Sequence, residues 1–414
     1  MHFDLPSRSS FSLWRKTLVC AVFLCVFTSA VGAQSPSSPN RSRRFGPDAC
    51  GPADPNYIRM ANETGGLPMF LQPAEAAKAF HLVRESTRNN MGTVFWATGT
   101  FDAGPQTFEV PVDSVTRRIT FSMSVDTKGG KLILTQPSGG AIVEATANNE
   151  ITELNCGRIV TVSAPETGSW RVQITGTGKF WIEVQAESDI HIISAEFVKK
   201  GGRPGHEGLF KIPGQPLAGI LAILQVSLSA QDAETAEFRL VSDRGDIIQE
   251  LRMQPENPDR DFREYLGSLE PPKQPFRVAV SGRDSKGKNY QRFFPALFHA
   301  ETLEVLPENG SDELSAGNTT TLTFNLRNIG PSNSFKITVT DGHKFVSHVS
   351  SQELTLGTGE SKTLRVDLTV PVGTAPGTGD DIVVVAASTS GSATSNSSVV
   401  HLSVSTSSAI QNPR

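Results

Sequence analysis

The chain has 414 residues, with 38 Lys and Arg set against 42 Asp and Glu, a formal net charge of −4 and 37% hydrophobic residues. That near balance, with no basic stripe and no interleaving of basic and aromatic residues, excludes a polyanion binder, so no nucleic acid is expected as a partner. The length suits about three domains of ~100–150 residues rather than one.

Arg8, Arg15 and Lys16 precede an apolar run from Leu18 to Phe27, and Val31-Gly32-Ala33 supplies the small residues that a signal peptidase reads. Residues 1–33 therefore read as a signal peptide, and the mature protein as secreted: extracellular, or periplasmic in a Gram-negative bacterium. The apolar run is shorter than the ~20 residues needed to span a bilayer. The later stretch Ile212 to Val226 is broken by Pro213, Gly214, Pro216 and Gly219, so no span is expected after cleavage. Residues 34–50, mostly Ser, Pro, Asn and Arg, have little to bury and read as a disordered linker. Cys20 and Cys25 leave with the leader. Cys50 and Cys156 remain, and an oxidising compartment predicts a disulfide between them.

In 51–90, Tyr57 to Met60 reads as a strand, Thr64-Gly65-Gly66 as a turn and Pro73 to Arg88 as one helix. Pro73 suits its first position, Glu75 its first turn, and Ala76, Phe80 and Val83 share one face. The order Tyr57-Ile58-Arg59-Met60-Ala61-Asn62-Glu63-Thr64-Gly65-Gly66, then Phe70-Leu71 and the helix, resembles the closing strand and last helix of a von Willebrand factor A domain. In hemicentin-like proteins and the related von Willebrand factor A domain-containing protein 7 group, that ending is followed by β-sandwich modules, and the resemblance implies the same here. The A domain's metal site needs Asp-x-Ser-x-Ser, whose carboxylate and hydroxyls present hard oxygens to Mg²⁺. This chain lacks that motif, so the resemblance implies no metal and no metal-dependent adhesion.

Residues 91–200 read as a first β-sandwich, with strands at 107–112, 119–125, 131–135, 159–163, 170–175 and 180–186 separated by Gly and Pro turns. Trp170 alternates with Val172 and Ile174 and is placed in the core. Leu134-Thr135-Gln136-Pro137-Ser138-Gly139, followed later by Thr167-Gly168-Ser169-Trp170-Arg171-Val172, is similar to the sandwich that follows the A domain in hemicentin-like chains. It is similar as well to the pre-peptidase sandwich of bacterial secreted proteins.

Residues 201–304 read as a second sandwich, with strands near 222–229, 236–241, 247–253, 276–282 and 290–294. Arg244-Gly245-Asp246 falls on a hairpin turn between two of them. A guanidinium and a carboxylate splayed from a turn suit an integrin's acidic pocket and metal, although a hairpin calls for Asp and Gly there in any case. Residues 305–405 read as a third, immunoglobulin-like sandwich: Leu322, Phe324 and Leu326 alternate, as do Leu364, Val366, Leu368 and Val370 before Pro371. These two runs, with Asn328-Ile329-Gly330 between them, resemble the adhesion-related immunoglobulin-like modules common in secreted bacterial and archaeal proteins. Asp380-Asp381 are too few carboxylates for Ca²⁺ and read as a plain turn. Residues 406–414 are a tail.

His81, His191, His206, His299, His343, His348 and His401 are scattered and read as surface residues. No hydrolase, zinc-protease or phosphate-loop motif occurs. No catalytic residue, cofactor or metal site is assigned. Sequons stand at Asn40, Asn62, Asn309, Asn318 and Asn396 and accept glycans where the source has that pathway. The fold class is mainly β: three tandem immunoglobulin-like or jelly-roll β-sandwiches behind a short N-terminal helical element. The function is a secreted, non-enzymatic binding, adhesion or scaffold role toward an extracellular protein or glycan. Its rivals are an accessory carbohydrate-binding module, which needs exposed coplanar aromatics, and a cryptic hydrolase.

Overall fold

The computed structural model describes residues 50, 53–102, 104–201, 207–229, 232–256, 262–308, 313–390 and 394–405. The expected leader, most of the linker, the tail, Asn40 and Asn309 lie outside these residues.

The N-terminal element is two helical segments joined by an irregular stretch at 66–72, which corrects the strand expected at Tyr57 to Met60. Pro55–Thr64 is an α-helix, capped at its start by the Asp54 carboxylate, which accepts the Asn56 N–H at 2.9 Å, and ended by Gly65 in the left-handed region at φ 78°. Local β propensity lost to these caps. The expected single helix is a 3₁₀ segment, Pro73–Ala79, continued by the α-helix Phe80–Ser86. Three residues per turn instead of 3.6 rotates the seven-residue segment by roughly 140° relative to an α-helix. The buried face is accordingly Glu75, Ala79, His81, Leu82, Glu85 and Ser86, while Phe80, expected inside, is 66% exposed.

The chain forms two compact units. The first takes residues up to Ala195, Val226–Tyr265 and Phe276–Phe298. Its main sheet has nine strands in the order 247–251, 237–241, 277–283, 289–293, 91–100, 179–187, 118–125, 157–163, 149–154. Residues that the sequence places in two successive sandwiches thus share one sheet, joined where Thr93 pairs with Phe293. A three-stranded sheet, 106–112, 168–175 and 131–135, shares one apolar core with it. Strict alternation supplies that core: Trp170, Val172 and Ile174 from one sheet are buried with Ile119, Phe121 and Met123 from the other. Trp170 lies 5.4 Å from Phe121 between ring centroids and donates its indole N–H to Glu166 O at 2.8 Å. The disulfide Cys50–Cys156 ties the segment before the helices to the turn ahead of strand Gly157–Ser163, across a sequence separation of 106.

The second unit comprises Glu196–Gln225, Leu266–Pro275 and the chain from His299. Two of its sheets enclose a second core. One has the order 303–307, 319–328, 361–369, 346–349; the other has 313–315, 395–405, 379–388, 333–340, 353–356, with 313–315 and 395–405 parallel. The alternating runs at 322–326 and 364–370 point into this core as their spacing predicts. Buried Asn328 clips the connection, donating to Pro331 O and Leu356 O and accepting the Gly330 N–H. Among the described residues no helix is long and apolar enough to cross a membrane.

Candidate functional site

The Arg244-Gly245-Asp246 turn joins strands Glu237–Val241 and Ile247–Leu251 at the edge of the nine-stranded sheet, with Arg244 and Asp246 exposed. It is a closed turn: Ser242 N–H donates to Asp246 O at 2.8 Å, Gly245 N–H to Ser242 O at 3.0 Å, and the Ser242 hydroxyl accepts the Arg244 and Asp246 N–H groups at 3.2 Å each. Thr98 N–H donates to Asp243 O at 2.8 Å, docking the turn on strand Met91–Thr100. Gly245 has φ 85°, a left-handed conformation that favours glycine, and a Cβ there would only reach ordinary contact with the Phe95 ring and Trp96 O at 3.4 Å, so conformation rather than space calls for glycine.

Beside the turn lies a cleft of about 500 Å³. Phe95, Phe108 and Phe180 supply its ring surfaces, with Phe95 and Phe108 at 5.0 Å and Phe108 and Phe180 at 6.3 Å between centroids. Asp102, Gln106, Thr107, Arg244 and Asp246 supply its polar rim. The Thr100 hydroxyl bonds the Asp102 carboxylate, and the Thr98 hydroxyl donates to Phe180 O at 2.8 Å. The lining holds no histidine. The chemistry on offer is apolar ring contact plus accepting carboxylates, threonine hydroxyls and one donating guanidinium, a set that can recognise a ligand with both apolar and polar groups. The phenylalanines and Asp102 come from three strands and a loop, and nothing in their spacing marks them as one surface.

Under the turn sits an ionic group. Arg277, fully buried, stacks over Trp96 with its guanidinium carbon 4.7 Å from the ring centroid. One terminal nitrogen donates to Asn62 O at 2.8 Å and lies 3.4 Å from the Asp243 carboxylate. Glu183, opposite Trp96 on the neighbouring strand, accepts from Gln185 Nε2 at 2.8 Å and from the Thr93 hydroxyl at 3.4 Å. Burial pushes the Glu183 carboxyl up to about 7, against the pull of Arg277, and the same desolvation lowers Arg277 to about 10.

The helices are clamped to the sheet by a second charged group. His81, Glu85 and Glu150 present ligand atoms within 4.8 Å of one another, a spacing that metal sites use. Both ring nitrogens of His81 are engaged, Nδ1 with the Thr152 hydroxyl at 2.8 Å and Nε2 with that of Thr161 at 2.9 Å. Burial favours a raised Glu85 carboxyl, but hydrogen bonds from Arg88 and Arg84 outweigh it and hold the group low, with Arg118 3.8 Å away. Three guanidiniums already compensate the cluster, so a cation does not fit it. His81 is thus a buried packing residue, not the surface histidine expected.

The sequons divide by burial. Asn318 is exposed in the turn before strand Thr319–Asn328. Asn62 is half-buried in the first helix. Asn396 is buried, donating to Gln215 O at 3.1 Å and Leu303 O at 2.8 Å and accepting Gln215 N–H at 2.9 Å, so its side chain leaves no room for a glycan, contrary to expectation. Asp380 is likewise buried, accepting the Gly342 and Asp381 N–H groups in a local loop arrangement.

Comparison with known proteins finds a model of the VWA7 Ig-like domain matching residues 304–406 and one of the hemicentin galactose-binding domain-like module matching 94–189. Mouse (Mus musculus) Hemicentin-1 is 22% identical over 249 residues, 58% of this chain and 4% of that protein. Among solved structures, a Bacillus licheniformis lipase in its propeptide form is similar at a TM-score of 0.24 and 12% identity, covering 50% of this chain and 40% of that one. Escherichia coli α2-macroglobulin is similar at 0.24 and 10%, covering 73% and 31%. Two segments of the chain are thus similar to known modules, 94–189 to a hemicentin galactose-binding domain-like one and, later in the sequence, 304–406 to a VWA7 Ig-like one, and the chain spans only a small part of Hemicentin-1's length.

Proposed function

We propose that this chain is a secreted, non-enzymatic adhesion or scaffold protein that holds an extracellular glycan or protein ligand in the cleft beside the Arg244–Asp246 turn. The observation that carries this reading is a tightly hydrogen-bonded turn presenting a guanidinium and a carboxylate at the rim of a phenylalanine-floored cleft, most of whose wall belongs to the segment resembling a galactose-binding domain. A preformed surface of this kind binds without first having to order itself. The hemicentin likeness supports the extracellular setting. Trp96, Trp170 and Trp181 are buried, and so are Phe95 at 7% and Phe180 at 4% exposed, so a carbohydrate-module reading has Phe108 as its one half-buried ring in this cleft. The test is binding of the purified chain to immobilised glycans and extracellular-matrix proteins, beside the R244A/D246A variant. Retention of some ligand by the wild type, weakened at least tenfold in the variant, supports the reading; equal retention by both refutes it.

A further inference from the structure

Arg277 stands out because its position has no ordinary structural reason. A buried guanidinium is costly unless its five N–H groups are satisfied. Here Nε and one terminal nitrogen meet no hydrogen-bond acceptor among the described residues, and the remaining contacts are one carbonyl, one indole face and the Asp243 carboxylate at 3.4 Å. The hold on Asp243 is therefore mainly Coulombic, and Coulombic holds in a buried site respond strongly to the next charge along. That next charge is Glu183, 2% exposed and on the far side of Trp96 from the turn strand. Val241, at the foot of the turn, pairs in register with Arg277 itself, so movement of either strand reaches the other directly.

We infer that Arg277 is the positioning residue of the cleft: it anchors the Arg244–Asp246 turn through Asp243, and Glu183 competes with Asp243 for it. This rests on the cleft being the binding surface, but the coupling is a property of the free protein. When Glu183 carries its proton, Asp243 is the one anion drawing on the guanidinium and the turn is held against Thr98. When Glu183 ionises, the guanidinium is shared between two carboxylates, and the turn loosens. Glu183 titrates near 7, so the exchange falls in the neutral range. The charges acting on Glu183 and Arg277 are each other and Asp243. The other packed elements bring uncharged groups: the Asn62 carbonyl from the first helix, the Ser86 hydroxyl on Gln185 from the last helix, and Thr93 and Trp96 from strand Met91–Thr100. His191 packs against Gly92 on that strand, but its ring sits with Ser229, Arg292 and Asp189, and burial lowers its titration.

The experiment is amide hydrogen exchange on the full chain at pH 6 and pH 8, corrected for intrinsic exchange chemistry and read at the Thr98 and Gly245 amides. Protection there falls about five- to tenfold from pH 6 to pH 8 in the wild type, the size expected of a local opening biased by one buried charge. E183Q, which keeps the shape and stays uncharged at both values, holds the pH 6 protection throughout. R277M is unprotected at both, if it folds; E183Q alone decides the matter if it does not. Equal protection at the two pH values in the wild type, or an unchanged pH response in E183Q, overturns the inference. Because no ligand is present, failure to bind any glycan or matrix protein bears on the proposed function and leaves this result standing.

Discussion

Replacing both cysteines, C50A/C156A, removes the one covalent tie between the segment ahead of the helices and the first sandwich. The closed loop spans 106 residues and contains the helices and the strands up to Asn149–Leu154. Chain-entropy cross-link arithmetic for a loop of that length gives about 5 kcal/mol at 25 °C. The thiol positions are held by other contacts as well: Cys50 N–H donates to Asp126 O, and Val125 N–H to Cys156 O, both at 2.9 Å, so the folded geometry survives without the bond and the loss falls on the unfolded state. Urea unfolding followed by tryptophan fluorescence reads the right unit, since Trp96, Trp170 and Trp181 all belong to it. With a slope of ~2–3 kcal/mol/M, the midpoint falls by about 2 M. Dithiothreitol reproduces this shift in the wild type and has no effect on the variant. A fall of less than ~1 kcal/mol refutes the assignment of the cross-link as the main restraint on the N-terminal segment.

Two further outcomes follow from buried groups. Glu183 rises from its ordinary 4.5 to about 7 on folding, so its contribution is full below pH 4.5 and is lost as pH climbs through 7. The difference in unfolding free energy between wild type and E183Q therefore changes by about 3 kcal/mol between pH 4.5 and 8, favouring the wild type at the acid end; a flat difference contradicts the raised titration. N396A strands the Gln215 N–H and the Leu303 carbonyl and costs about 2–4 kcal/mol, whereas N318Q leaves stability within about 0.5 kcal/mol. Expressed through a eukaryotic secretory pathway, the wild type loses mass on glycosidase treatment by an increment that N318Q abolishes.

Period-two alternation made the sandwiches legible, because a strand with one buried face must repeat every second residue. Leu322, Phe324 and Leu326 and the Trp170 to Ile174 run took the faces their spacing assigns. The cysteine pair was legible from arithmetic alone. Strand pairing between distant segments is not written in a local pattern, so the single sheet running from 149–154 through to 247–251 could not be read ahead of the fold. Tyr57 and Ile58 favour strands, yet Asp54-Pro55 and Gly65 carry the capping signals of a helix, and those local hydrogen bonds decided the outcome. The Arg244–Asp246 turn was visible as a motif. Its cleft was not, since Phe95, Phe108 and Phe180 are separated along the chain and meet only through the tertiary fold. Glu183 and Arg277 were equally hidden, because a charged residue in a strand ordinarily marks the solvent face.

The most direct measurement of the account is the footprint of a bound ligand: hydrogen exchange of the chain alone and saturated with whichever immobilised glycan or matrix protein retains it. Protection gained at residues 95–108, around Phe180 and at 242–247, and lost together in R244A/D246A, is the predicted result. A footprint confined to the second unit, with the turn and its phenylalanines unaffected, contradicts it.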